Sequence, residues 1–138
     1  MYHDIEYRVP YADTDQMGVV YYANYLEYFE RSRTEMLRSA GLPYGELEKR
    51  GLILPVSEAY CKYHAPARYD DLLTLRSWVK EIKGVRMVIA SEVRRGNELL
   101  VSGYVTLVSV NPDRKVIRMS NDLIECCKQF FYDPENEK

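Results

Sequence analysis

The sequence predicts an α+β domain in which a sheet wraps around one long helix. Three observations carry that expectation. Apolar residues recur at helical spacing between Tyr22 and Ala40. From Val56 onward the chain alternates between apolar and polar side chains over long runs. Those runs are separated by tight-turn signals at Lys83-Gly84, Arg95-Gly96-Asn97 and Asn111-Pro112-Asp113. A helix with one apolar face and a sheet with one apolar face bury both by packing together. At 138 residues the chain fits one domain, 1–138, with one core.

Taken in order, residues 2–9 read as a first strand, with Ile5, Tyr7 and Val9 alternating against polar neighbours and Pro10 ending it. Residues 11–21 read as a loop. The helix follows over 22–40, stopped by Gly41 and Pro43. At 100° per residue, Tyr22, Leu26, Phe29, Met36, Leu37 and Ala40 share one face. Glu27, Arg31, Glu35 and Arg38 occupy the other. Arg33 breaks the apolar face and Glu30 stands at its edge. Three residues apart, they are expected to form a buried ion pair, or to place one member in a substrate pocket. Residues 45–51 read as a short helix or turn. Strands are expected over 56–64, 72–83, 85–94 and 98–110, with a short one over 115–118. Ser120 suits the cap of a last helix over 121–131, and a polar tail closes the segment 120–138.

Several function classes fall away on composition. Net charge is -2, which leaves no whole-molecule field to attract nucleic acid. Three unpatterned cysteines suit a reducing compartment. The N-terminus lacks a leader pattern and no apolar run approaches the ~20 residues of a membrane span, so a cytoplasmic address without membrane insertion is expected. No His/Cys/Asp spacing suggests a metal, and no Gly-rich phosphate loop appears, so no cofactor is expected. His3 and His64 sit in no recognisable nucleophile motif; His64 reads as a structural or pocket-wall residue.

The positive signal lies in residues 11–33, YADTDQMGVVYYANYLEYFERSR. Asp13 and Asp15 precede Gly18 and then a helix start. A carboxylate facing the unpaired N–H groups of a helix N-terminus suits hydrolysis of an activated carbonyl. Asp15 is the expected catalytic acid, as nucleophile or general base. Asp13 reads as loop support. The tyrosines between Tyr21 and Tyr28 are expected to pack the helix and line a pocket.

The run Arg8 to Tyr25 resembles the active-site signature of hotdog-fold acyl-CoA thioesterases of the 4-hydroxybenzoyl-CoA type, most of all those found with bacterial Tol-Pal genes. Glu30–Leu42 and Tyr63–Leu75 agree with it, and the likeness extends from Arg8 to about Asn111. The resemblance implies an acyl-CoA thioester hydrolase with Asp15 as catalytic carboxylate and the backbone N–H of Tyr22 as oxyanion donor. It implies substrate contacts at Gly18, Val19 and Tyr25. Tol-Pal members often carry histidine where this chain has Tyr22; aromatic residues occur there in the hydroxybenzoyl branch. By the same likeness, Lys83 and Arg86 at a hairpin turn, with Arg118, border the nucleotide end of the site. The family forms dimers and tetramers with sites at the dimer interface, and exposed strand edges supply a physical reason to pair. An acyl carrier protein is a second candidate donor of the acyl group. Two other readings compete. A hydratase of acyl thioesters would need a catalytic histidine or a glycine-aspartate motif, which the chain lacks. A non-catalytic partner of acyl carrier protein or of phospholipid enzymes would show no Asp15-dependent turnover.

Overall fold

A computed structural model describes residues 1–136. The final two residues of the expected polar tail, Glu137 and Lys138, lie outside the described residues. Five strands form one antiparallel sheet: β1 (His3–Arg8), β2 (Val56–Tyr63), β3 (Leu72–Lys83), β4 (Arg86–Arg95) and β5 (Glu98–Val108). Their spatial order is β1-β3-β4-β5-β2. The long central hairpins come from the turns read in the sequence; β4 meets β5 from Arg86↔Val108 to Arg95↔Glu98. The helices are α1 (Asn24–Ser39), α2 (Tyr44–Lys49) and α3 (Asn121–Cys127).

Alternation places Leu73, Leu75, Ser77 and Val79 of β3 and Met87, Ile89 and Val93 of β4 on the inner face, all buried. α1 lies across that face. Its buried side chains are Tyr25, Tyr28, Phe29, Ser32, Arg33, Met36 and Leu37. This corrects the expected helix face. Leu26 and Tyr22 are exposed, whereas Tyr25, Tyr28 and Ser32 turn inward. Hydroxyl groups make the difference, because each of these three finds a partner. Tyr25 accepts from the Ala67 N–H at 3.1 Å, Tyr28 donates to Asp13, and Ser32 pairs with Ser77.

One glycine shows how tightly the layers meet. A Cβ on Gly103, in the middle of β5, would stand 2.0 Å from the Tyr60 carbonyl oxygen and 2.8 Å from Phe29 Cε2. Only a residue without a side chain lets β2 and α1 approach β5 there.

α3 closes one end of the sheet. Ser120 caps it by accepting from the Leu123 N–H at 3.2 Å. Leu123, Cys127 and Phe130 join Met36, Leu37, Val79 and Met87 in one core cluster. The helix expected over 121–131 ends earlier, passing into a single tight turn at Lys128–Phe130. The short strand expected over 115–118 does not form. Val116 makes one bridge to Val110, and the chain then bends so that the Met119 N–H meets the Gly84 carbonyl. Buried Met119 is delivered to the core in exchange.

β2 pairs with β5 alone and is exposed along its length except at Cys61. It is an open sheet edge.

Candidate active site

The segment between β1 and α1 folds as a small, heavily tied loop. Asp15 opens a turn: its carbonyl accepts from the Gly18 N–H at 3.0 Å, and its Oδ1 accepts from the Met17 N–H at 2.8 Å. Gly18 holds φ +79, the left-handed conformation that favours glycine. The Asp15 N–H returns to the Val19 carbonyl at 2.9 Å, and the Val20 N–H docks on the Ala67 carbonyl at 2.9 Å. Val19 bridges Arg68. Asp15 itself is exposed, and its Oδ2 accepts no hydrogen bond among the described residues.

Asp13 is the anchor of this loop. Its Oδ2 accepts from the Tyr7 hydroxyl at 2.7 Å and from the Tyr28 hydroxyl at 2.8 Å. Its carbonyl accepts from the Tyr21 N–H at 3.0 Å and the Asn24 side chain at 3.1 Å. One residue thereby joins β1, the Asp15 turn and the start of α1. Burial, together with the Asp13 carboxylate that needs their protons, pushes the Tyr7 hydroxyl up to about 12 and that of Tyr28 higher still.

Regular helix begins at Asn24, two residues later than expected, because Tyr21–Ala23 form a turn in which the Asn24 N–H meets the Tyr21 carbonyl at 2.9 Å. The Tyr22 N–H donates to no group among the described residues. Tyr22 lines a cleft of about 300 Å³ with Val20, Tyr25, Tyr63, His64 and Pro66. Its carbonyl accepts from the Tyr63 hydroxyl at 3.3 Å. Tyr25 and Tyr63 stand 5.6 Å apart between ring centres, and burial raises the hydroxyl pKa of both. His64 Nε2 lies 2.9 Å from Ser102 Oγ at the cleft wall.

The loop thus holds Asp15, Gly18 and Val19 in one tied turn and leads directly to Val20, Tyr22 and Tyr25 at the cleft, whose lining does not include Asp15, Gly18 or Val19. Lys83, Arg86 and Arg118 are elsewhere in the same chain. They gather at the opposite end of the sheet, where Lys83 pairs with Arg86 and the residue after Arg118 meets Gly84. Arg118 lies in a loop rather than on a strand. Tyr63 was missed by sequence reasoning; its position at the end of an alternating strand carried no signal of a cleft.

The expected Glu30–Arg33 ion pair does not form. Arg33 is 8% exposed, Glu30 is exposed, and no salt bridge joins them. Both line a second cavity of about 270 Å³ with Tyr44, Glu48, Leu52, Ile53 and Leu54. Among the described residues there is no group of His, Cys, Asp and Glu side chains able to hold a metal, and no helix is long and apolar enough to cross a membrane.

The chain is similar to known proteins in sequence and in fold. Residues 9–126 match the family model of the thioesterase-like superfamily. The chain is 38% identical over 106 residues to the acyl-CoA thioester hydrolase YbgC of Escherichia coli, covering 76% of this chain and 79% of that protein. It is 37% identical over 83 residues to a Bacillus subtilis protein named "Putative acyl-CoA thioesterase YneP", covering 60% of each. The solved structure of a DHNA-CoA thioesterase from Staphylococcus aureus superposes with a TM-score of 0.86 at 30% identity, covering 93% of this chain and 89% of the other.

Proposed function

The chain belongs to the thioesterase-like superfamily and is a YbgC-like acyl-CoA thioesterase of hotdog fold, and from that premise we propose that Asp15 and the Tyr22 N–H carry the reaction. The observation that supports this reading is the pair of unused groups at one tied loop: a free Asp15 carboxylate oxygen and a free Tyr22 N–H at a cleft wall. The thioester carbonyl enters the cleft with its oxygen toward Tyr22. Attack at the carbonyl carbon moves an electron pair onto that oxygen, and the N–H, backed by the helix dipole, stabilises it. Asp15 either attacks directly, giving a mixed anhydride that water then opens, or takes a proton from the attacking water. In both routes the carbon–sulfur bond breaks and coenzyme A leaves as thiolate. Gly18 and Val19 shape the approach to the carbonyl, and Tyr25 walls the cleft.

The functional unit is a homodimer, with assembly to a tetramer as its extension. The open β2 edge is the surface that a second copy covers. In a two-fold antiparallel pairing the Val56 end of one β2 lies beside the Tyr63 end of the other. That arrangement carries the partner's Lys83, Arg86 and Arg118 toward the Asp15 loop, where they bind the phosphates of coenzyme A. An acyl carrier protein is the alternative donor, and a cytoplasmic address fits either.

The test is thiol release from short, long and aromatic acyl-CoAs by wild type and Asp15→Asn. Turnover should fall by about 10²–10⁴-fold in the variant with its circular dichroism unchanged. Turnover that survives the substitution removes Asp15 from the mechanism. Binding of acyl carrier protein without any turnover would favour the non-catalytic partner instead.

A further inference from the structure

Arg33 projects from the core-facing side of α1, is nine-tenths buried, and makes no salt bridge among the described residues; its enclosed Nε has no hydrogen-bond partner, and the Tyr44 hydroxyl is the polar group beside it. A buried guanidinium without a counter-charge is costly, and guanidinium nitrogens only donate. The cavity it lines therefore offers guanidinium donors with no counter-charge bound to them. The other walls say which kind. Leu52, Ile53 and Leu54 are apolar and suit hydrocarbon. Glu30 and Glu48 stand on the same rim and repel a second carboxylate. The Tyr44 hydroxyl lies beside Arg33; burial pushes its pKa up against the opposing effect of the guanidinium, so it stays a neutral donor and acceptor.

The position of the cavity connects it to the thioester cleft. Tyr25, Phe29 and Arg33 follow at four-residue intervals on the side of α1 that faces β2 and β5. Tyr25 walls the cleft and Arg33 the cavity, about 12 Å apart along the helix at 1.5 Å per residue. Ile53 and Leu54 lie within three residues of the start of β2, whose far end is Tyr63. In the proposed β2-to-β2 dimer, one copy's Arg33 cavity abuts the other copy's Tyr22 cleft.

We propose that Arg33 and Tyr44 form the distal end of the acyl site and select acyl groups bearing an uncharged oxygen, a hydroxyl or ketone, remote from the thioester. This rests on the thioesterase reading above. Such an oxygen accepts from Arg33, and a hydroxyl donates in turn to Tyr44 or Glu30.

The experiment measures kcat/KM for matched straight-chain acyl-CoAs, butanoyl to decanoyl, against their ω-hydroxy and ω-carboxy counterparts. Wild type, Arg33→Met and Tyr44→Phe are compared, with Tm and oligomeric state recorded for each. Wild type should favour one or more hydroxylated substrates over the plain chain by at least about tenfold, and Arg33→Met should abolish that ratio. Without ligand, Arg33→Met should also raise Tm, because it removes an uncompensated buried charge. Activity on every pair with a ratio near one, or a ratio unchanged in Arg33→Met, overturns this proposal alone. Preference for the ω-carboxy series overturns it as well. A lower Tm or a lost dimer in Arg33→Met, with the ratio intact in Tyr44→Phe, would make Arg33 a structural residue. Inactivity on every pair overturns the thioesterase reading along with it.

Discussion

Asp13 and Asp15 stand two residues apart with opposite surroundings, and that contrast supports the different roles proposed for them. Asp13 has both tyrosine hydroxyls on one oxygen and spends its carbonyl on the helix entry. Asp15 keeps an oxygen free. The D-x-D spacing was plain in the sequence, but the two hydroxyls that occupy Asp13 come from β1 and from α1. Among the cysteines, Cys127 shows the effect of burial most directly. Its thiol is fully enclosed and pushed up to about 12. Below the ordinary thiol value of about 8.5 both folded and unfolded chains keep the proton, and stability does not depend on this group. Above it only the unfolded chain ionises, so stability falls as pH rises toward 12, by up to about 1.4 kcal/mol per unit. Urea unfolding at pH 7.5 and 10 should therefore show the advantage of wild type over Cys127→Ala narrowing with pH. An advantage that stays constant would mean the folded thiol ionises normally.

At the scale of elements, the sheet was readable because alternation and turn residues are local signals. β3, β4 and β5 lie within two residues of their expected ends, and the Ser120 cap holds α3 as its sequence suggests. The helix face was less legible. An apolar moment counts Leu26 as buried and tyrosine as ambiguous, whereas packing buries whichever hydroxyl finds a partner. The failed strand over 115–118 has a similar cause: backbone alternation favoured it, and the pull of Met119 into the core prevailed. Gly103 is the element-scale test. Gly103→Ala must displace the Tyr60 backbone or the Phe29 ring, and overpacking of this kind costs about 1–3 kcal/mol or more. A loss of unfolding free energy of that size is expected, read as a lower urea midpoint with m unchanged. A neutral result would mean β2 sits less tightly on β5 than these contacts require.

For the whole molecule, the decisive feature is the distance between the proposed catalytic loop and the proposed phosphate-binding cluster. The Asp15 loop and the basic cluster of Lys83, Arg86 and Arg118 occupy opposite ends of one sheet. In the dimer proposed above, a second copy joined along β2 would bring them together. Specific activity should consequently fall on dilution, in step with dissociation followed by sedimentation, and KM for coenzyme A thioesters should rise in Arg86→Ala. Activity that persists in a demonstrated monomer would show that one chain suffices.

What the sequence determined by itself was everything carried by local spacing: the helix, the hairpins, the Asp15–Gly18–Tyr22 motif and the family they point to. These depend on side-chain period, turn chemistry and a contiguous motif, all of which are written within a few residues of one another. The tertiary structure decided what depends on residues far apart in the chain. It turned α1 so that tyrosines rather than Leu26 entered the core, assigned Asp13 to Tyr7 and Tyr28, and separated Arg33 from Glu30. For the tyrosines and Asp13 the physical reason is the same: a buried polar group takes the partner that the fold brings to it, and that partner comes from another element, whereas Arg33 is carried into the core by the turn of α1 without a salt bridge among the described residues.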